Sequence, residues 1–206
     1  MTVQSDLFSH LPEPETLISQ DGSAQVYRQW LTPAEAGHCF TELLETLAWE
    51  QTMLPMYGRL LPIPRLNAWY GDEHAGYSYS GAHFQPRAWT PLLAHLRDRL
   101  SDFCEAGFNS VLANLYRDGN DSVAWHSDDE PELGPMPVIA SLSLGDTRRF
   151  RLRHRRRETV AVDLAAGDLL VMSGVLQQHW QHELAKTRKI SGSRINLTFR
   201  TILAAR

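Results

Sequence analysis

Residues 194–200 read Arg-Ile-Asn-Leu-Thr-Phe-Arg, four polar side chains alternating with three apolar ones. Successive side chains of a strand point to opposite faces, so Arg194, Asn196, Thr198 and Arg200 share one face while Ile195, Leu197 and Phe199 share the other. A polar row backed by an apolar row describes a strand that lines a polar cavity and packs its reverse side on a core. Asn114 and Tyr116 repeat the pattern upstream, with Leu112 in register and Leu115 opposed.

The same strand-like region carries His126-Ser127-Asp128, and later two histidines, His179 and His182. In a strand His126 and Asp128 point the same way, as a two-ligand chelate requires. Two neutral imidazoles and one carboxylate on one side of a metal form the facial triad of non-haem Fe(II) oxygenases, which leaves neighbouring coordination positions open. A guanidinium recognises a carboxylate through two parallel hydrogen bonds, so the arginines of 194–200 fit an anionic co-substrate for those positions. Together these residues suggest iron and a dicarboxylate.

A chain of 206 residues is long enough for one sizeable core and short for two. No apolar stretch approaches the ~18–20 residues that span a membrane, and the N-terminus lacks a basic region followed by an apolar one, so no membrane role and a cytoplasmic location are expected. Cys39 and Cys104 lack C-x-x-C spacing and read as reduced thiols in helical segments. The formal net charge of −4 argues against indiscriminate nucleic-acid binding. Charge is unevenly spread, however, because seven of the ten residues from Arg148 to Arg157 are Arg. Arg149, Arg151 and Arg153 alternate there with Phe150, Leu152 and His154. This row reads either as a phosphate-tracking ridge on a strand edge or as a solvated hairpin whose charges discourage edge pairing.

Residues 1–20 carry Pro12, Pro14 and scattered polar groups without periodicity, which predicts a poorly ordered extension. Thr32-Pro33-Ala34-Glu35 is a capping box with proline at the first helical position, opening a helix that buries Ala36, Phe40, Leu43, Leu44 and Leu47. A second helix starts at Thr90-Pro91, buries Leu93, Leu96, Leu100 and Phe103, and stops near Gly107. Beyond it, short strands alternate with turns at Asp118-Gly119-Asn120, Gly145-Asp146-Thr147 and Gly167-Asp168. Helices first and strands after predict an α+β domain, with the helices against one side of a β-sandwich or barrel.

These residues resemble the AlkB family of Fe(II)- and 2-oxoglutarate-dependent nucleic-acid dealkylases. The matching pieces are Pro64-Arg65, Trp69-Tyr70-Gly71, Tyr77-Ser78-Tyr79-Ser80, Asn114-Leu115-Tyr116, His126-Ser127-Asp128-Asp129-Glu130-Pro131, residues 140–145, Trp180-Gln181-His182 and residues 194–200. They run in order from about residue 53 to 203 and look most like the branch that includes the vertebrate DNA-repair homologues. The resemblance implies a double-stranded β-helix, or jelly roll, with N-terminal helices packed on one side. It divides the chain into the 1–20 extension and a single dioxygenase domain over 21–206. Within that domain, 53–109 would recognise the nucleotide and 110–203 would form the jelly-roll core.

Family spacing sets the second histidine ligand twelve residues before the first arginine of 194–200, which selects His182 over His179. By resemblance, His126, Asp128 and His182 bind Fe(II), and 2-oxoglutarate and O2 are co-substrates. Arg194 then clamps the distal carboxylate with Tyr116 nearby, while Asn114, Asn196 and Arg200 orient the metal-binding end. The implied reaction oxidises a methyl group on a base nitrogen, and the resulting hemiaminal collapses to formaldehyde while succinate and CO2 are released. Tyr79 would stack on an extruded base, Tyr77 would meet a flanking phosphate, and Asp129 or Glu130 would favour cationic lesions such as 1-methyladenine and 3-methylcytosine. Met56-Tyr57-Gly58 sits where duplex-acting relatives carry a short wedge. Given the family, the arginine row reads as phosphate contact. The expected partner is alkylated DNA, single- or double-stranded, with RNA a further candidate, and the protein is expected to act as a monomer. A 2-oxoglutarate hydroxylase of a protein side chain or small molecule is the alternative; it would keep the triad and arginines but need neither Tyr79 nor the arginine row.

Overall fold

The computed structural model describes residues 13–56, 58–79, 82–156, 158–189 and 192–203, and at 56, 77–79 and 82–84 it describes the backbone only. In chain order the N-terminal part contains β1 (Glu15–Ile18), β2 (Ser23–Tyr27), α1 (Pro33–Thr46), β3 (Met53–Met56), β4 (Arg59–Pro62), β5 (Leu66–Gly71), β6 (Tyr77–Tyr79), β7 (Ala82–Phe84) and α2 (Pro91–Cys104). The C-terminal part contains β8 (Ser110–Tyr116), β9 (Val123–His126), β10 (Ile139–Gly145), β11 (Arg148–His154), β12 (Thr159–Leu164), β13 (Leu169–Ser173), the short α3 (Leu176–His179), β14 (Trp180–Leu184) and β15 (Arg194–Arg200).

Both long helices start where the sequence predicts. Thr32 accepts from the Glu35 backbone N–H while the Glu35 carboxylate accepts from the Thr32 N–H, a reciprocal cap whose loss typically costs ~1 kcal/mol. Thr90 caps α2 through the Leu93 N–H. The second helix ends at Cys104 rather than Gly107, because Glu105 takes the left-handed conformation (φ 50°) and its N–H closes on the Ser101 carbonyl. Ala36, Leu43, Leu47, Leu93, Leu96 and Leu100 are buried as expected, and Phe40 and Phe103 pack half-buried against them. Leu44 is a correction: it lies at the margin of the apolar face and is exposed. Both cysteines are free thiols, and burial pushes Cys104 up to about 12.

From β8 onward the strands distribute between two sheets. The order β13-β10-β15-β8 forms the centre of a seven-stranded sheet that β1, β2 and β5 extend, and β12-β11-β14-β9 forms a four-stranded sheet. Eight strands shared this way between two antiparallel sheets make the jelly roll. Glycines at positive φ turn the chain between sheets or strands at Gly145 (φ 78°) and Gly167 (φ 87°), where a side chain would also collide with Ser193 and Leu31 backbone.

The molecule is three layers deep. Helices α1 and α2 lay Leu43, Leu93, Leu96 and Leu100 on the outer face of the large sheet, against Leu115, Leu142, Ile195, Leu197 and Phe199. Each such side chain contributes roughly 1.5–3 kcal/mol through removal from water. The inner face meets the small sheet through Ile139, Met172, Phe150, Leu152 and Leu184.

Part of the expected N-terminal extension is instead sheet: Glu15–Ile18 pairs antiparallel with β2, whose other edge joins β13. Residues 1–12 lie outside the described residues. The arginine row also needs correction. Strand β11 is internal, between β12 and β14, so the row stands on the outer face of the small sheet rather than on an edge. Arg148, which precedes the row on the opposite face of the strand, is buried and donates to the backbone carbonyls of Asp118, Asp121 and Ala185 at 2.9–3.0 Å.

Candidate active site

A polar cavity opens between the sheets. It is lined from the large sheet by Asn114 and Tyr116 on β8, Ser141 on β10, and Arg194, Asn196, Thr198 and Arg200 on β15. The small sheet contributes His126 from β9, Phe150 from β11 and His182 from β14. Every residue of the polar face read from 194–200 lines the cavity, while Ile195, Leu197 and Phe199 sit in the helix-side core. Register explains how polar groups from distant segments converge. Arg194 pairs with Tyr116, Asn196 pairs with Asn114 on one side and Ser143 on the other, and all face the same way.

His126 and His182 are direct cross-strand partners on β9 and β14, their ring centroids 4.2 Å apart. The His126 Nδ1 lies 2.8 Å from the Ala124 carbonyl, a contact that places the proton on Nδ1 and leaves the Nε2 lone pair free. The ladder of β9 ends at His126, so Asp128 is not held by strand pairing. Its Oδ1 faces both imidazoles, 3.7 Å from His126 Nε2 and 4.0 Å from His182 Nε2. Its Oδ2 accepts from Arg200 Nε and Nη2 at 3.1 and 2.7 Å. Ligand atoms of these three residues lie within 4.8 Å of one another, and among the described residues they are the only group of three or more His, Cys, Asp or Glu so placed.

Electrostatics keeps Asp128 and His182 in ligand form. Burial opposes the charged form of Asp128, but the Arg200 charge, together with its hydrogen bonds, outweighs it and holds the carboxyl well below its ordinary range. Burial pushes His182 down to about 3, the Arg200 charge adding to the shift and Asp128 opposing it, so its imidazole stays neutral. Its Nδ1 is buried without a hydrogen-bond partner. Two imidazoles and an anionic carboxylate whose ligand atoms converge on one point are a donor set suited to Fe(II).

Arg194 is 2% exposed. Its Nη2 donates to Ser143 Oγ at 2.9 Å, its Nε has no partner, and no carboxylate among the described residues pairs with it. Burial lowers it to about 10, still charged at neutral pH, and the guanidinium lies 5.5 Å from the Tyr116 ring centroid. A buried cation without a counter-charge costs several kcal/mol and is expected where an anion completes it. Asn196 Nδ2 donates to Ser141 Oγ at 2.8 Å and its Oδ1 accepts from Thr198; Asn114 Oδ1 accepts from Arg65 Nε at 2.8 Å.

His179 stands apart from this group, stacked on His154 at 6.2 Å. Asp129 is exposed, 3.8 Å from Arg155, and Glu130 precedes a short 3-10 turn; neither lines the cavity. Tyr77 and Tyr79 occupy β6, paired with Phe84 and Ala82 on β7. Tyr57 lies outside the described residues; its neighbour Gly58 has φ 73° at the tip of the β3–β4 hairpin. Trp180 is buried packing, its Nε1 donating to the Gln20 carbonyl. Sequence reasoning missed the roles of Ser141 and Ser143, although the alternation of residues 140–144 carries the same period-2 signal as 194–200. It also missed Arg65, and Gln177, whose buried amide no local pattern marks.

Residues 23–200 match the sequence model described as the 2OG-Fe(II) oxygenase superfamily. The chain is 40% identical over 201 residues to the mouse alpha-ketoglutarate-dependent dioxygenase alkB homolog 3, covering 91% of this chain and 70% of that protein. It is 38% identical over 198 residues to the human DNA oxidative demethylase ALKBH2, covering 90% and 76%. Among solved structures, OsALKBH1 shares the fold with a TM-score of 0.61 at 16% identity, covering 93% of this chain and 99% of that one.

Proposed function

The chain belongs to the 2OG-Fe(II) oxygenase superfamily and its AlkB-homologue branch, and on that premise we propose that it oxidatively removes methyl groups from alkylated bases in DNA. It is a dioxygenase whose cofactor is Fe(II) and whose co-substrates are 2-oxoglutarate and O2. One observation carries the reading: three convergent metal donors and a buried, carboxylate-free Arg194 line a single cavity. Its relatives among the curated proteins include a DNA oxidative demethylase.

His126 Nε2, Asp128 Oδ1 and His182 Nε2 would hold the iron. Arg200, bound to the other carboxylate oxygen, keeps Oδ1 turned to the metal and the acid ionised. Arg194 would receive the distal carboxylate of 2-oxoglutarate, with Ser143 fixing one side of its fork and Tyr116 packing beside it. Asn114 and Asn196 present amides to the metal-binding end. When bound, iron and 2-oxoglutarate supply the oxidising power for a C–H bond; the chain supplies orientation and exclusion of water. An N-methyl group oxidised there becomes a hemiaminal that releases formaldehyde, with succinate and CO2 as co-products.

A base inside a duplex cannot reach this cavity and must flip out or begin single-stranded. Tyr79 is the proposed stacking platform and Tyr77 the phosphate contact. The methylated bases 1-methyladenine and 3-methylcytosine are the proposed substrates; Asp129 and Glu130, which do not line the cavity, are not assigned to their recognition. On the outer face of the small sheet, Arg151 and Arg153 lie over Trp125 at 5.2 and 4.4 Å, and with exposed Arg149 they offer a basic surface to a polyanion. RNA carrying the same lesions is a second candidate substrate.

The test is direct. Protein loaded with Fe(II) and 2-oxoglutarate is incubated with oligonucleotides bearing 1-methyladenine or 3-methylcytosine, and formaldehyde and repaired base are measured. Succinate formation without repaired base on every nucleic-acid substrate would turn the reading toward a protein or small-molecule hydroxylase.

A further inference from the structure

The metal carboxylate sits two residues beyond the last ladder position of its strand. Antiparallel pairing places His126 opposite His182, but β9 stops there and Asp128 needs another support. That support comes from the segment between β13 and β14. Ser127 Oγ donates to the Trp180 carbonyl at 2.9 Å, and the Asp128 backbone N–H donates to Gln177 Oε1 at 3.0 Å. Gln177 is 3% exposed, and its amide nitrogen lies 3.9 Å from Met172 Sδ on the cavity wall.

The short helix carrying Gln177 is itself braced from the N-terminal hairpin. A side chain at Gly22 would collide with the Leu176 backbone, and a Cβ added at Gly174 would come within 3.8 Å of the Gly22 Cα. Trp180 Nε1 donates to the Gln20 carbonyl at 3.2 Å. A strand edge added outside the eight-stranded core thus fixes α3, and α3 reaches the backbone of Asp128 through one glutamine.

We propose that Gln177 is a positioning residue for the metal site: its amide oxygen fixes the Asp128 backbone so that Oδ1 faces the two imidazoles. Arg200 orients the carboxylate end and Gln177 the backbone end, so the side chain is held at both ends. This rests on the assignment of His126, Asp128 and His182 as iron ligands. Groups that orient metal ligands typically alter affinity by ~10–100-fold when removed.

The experiment compares Gln177→Asn, one methylene too short to reach the Asp128 N–H but still polar, with Gln177→Glu, which keeps an acceptor oxygen at the same reach. Mn(II), a redox-silent stand-in for Fe(II), is titrated by the loss of its free-ion EPR signal, and thermal melting of the metal-free proteins is followed in parallel. Gln177→Asn is expected to weaken Mn(II) binding by about tenfold or more with a nearly unchanged metal-free melting temperature, and Gln177→Glu to recover most of the affinity. Unchanged affinity in Gln177→Asn, or equal losses in both variants, overturns the proposal. A lowered melting temperature with wild-type affinity overturns it too, leaving Gln177 a packing residue. Asp128→Ala separates the two levels: if that variant binds Mn(II) like the wild type, the ligand assignment itself fails, whatever Gln177 does.

Discussion

His126 and His182 stand directly opposite each other across the β9–β14 ladder, ring centroids 4.2 Å apart and planes inclined at 60°. Fifty-six residues separate them in the chain, and a single register choice brings them together. A slip of one residue would turn one imidazole to the outer face of the small sheet, where Gln181 and Glu183 now point toward Arg153 and Arg151. The ring stack of Phe150 on His182 at 5.5 Å and the carbonyl contact of His126 Nδ1 then hold the two rings in place.

The triad is therefore expected to respond unequally to histidine substitutions only three residues apart. His182→Ala should remove formaldehyde release and Mn(II) binding together, whereas His179→Ala, which loses only a stack on His154, should keep activity within about twofold. Asp128→Asn should abolish turnover by roughly a hundredfold or more, since the amide is a poor ligand and leaves Arg200 without its anion. Turnover at wild-type rates in Asp128→Asn would remove the triad from the chemistry.

Arg194 offers the co-substrate a planar fork in a site without another carboxylate. Arg194→Lys keeps the charge but not the two parallel donors, so the KM for 2-oxoglutarate is expected to rise by about tenfold or more while kcat changes less. Steady-state succinate release over a range of 2-oxoglutarate concentrations measures both. An unchanged KM would place the carboxylate clamp elsewhere.

Much of this site was legible because period-2 patterning reports which side chains share a face. Residues 194–200 and 112–116 fall on the cavity and core sides that their alternation indicates. What a local period cannot report is which faces oppose each other, and this accounts for the errors. The row at Arg149, Arg151 and Arg153 does face outward, but β11 lies inside its sheet. Arg148 begins the same alternation on the opposite face and ends as a buried cation on three carbonyls. Glu15–Ile18 has too little pattern to announce a strand and becomes one because β2 presents a free edge. Choosing His182 over His179 needed family spacing, since both imidazoles are compatible with the bare sequence.

Acid sensitivity is expected from the turn between β8 and β9. Burial raises the Asp121 carboxyl, but hydrogen bonds from the Arg117 side chain and backbone, and the charges of Arg117 and Arg148, outweigh it and leave the acid below its ordinary value of 3.8. A folded-state value below the unfolded one contributes stability that is complete above that ordinary value and is lost as pH falls through the folded value. Asp121→Asn should therefore lower stability by ~1 kcal/mol at pH 7, because Arg117 is partly exposed, and the difference from wild type should shrink as pH drops below about 4. Urea unfolding across this range checks it; a gap that stays constant with pH would assign the effect to packing.

Duplex access is expected to depend on the β3–β4 hairpin. Met56 pairs with Arg59, and Gly58 lies between the two strands with a positive φ (73°) that suits a tight turn. Met53, Leu60 and Leu61 are exposed along its arms, Leu60 by 66%. Exposed apolar groups clustered on one projecting hairpin suit a surface that becomes covered, and an apolar wedge offsets part of the few kcal/mol lost when a base leaves the stack. A single strand makes no such demand. Tyr57→Ala and Leu60→Ala should each reduce repair of a methylated duplex by roughly tenfold while changing repair of the same lesion in a single strand by about twofold or less. The comparison is made at one salt concentration, because phosphate contacts weaken with ionic strength on both substrates. Equal losses on duplex and single strand, or none on either, would leave the hairpin outside the mechanism and make the protein an enzyme of single strands.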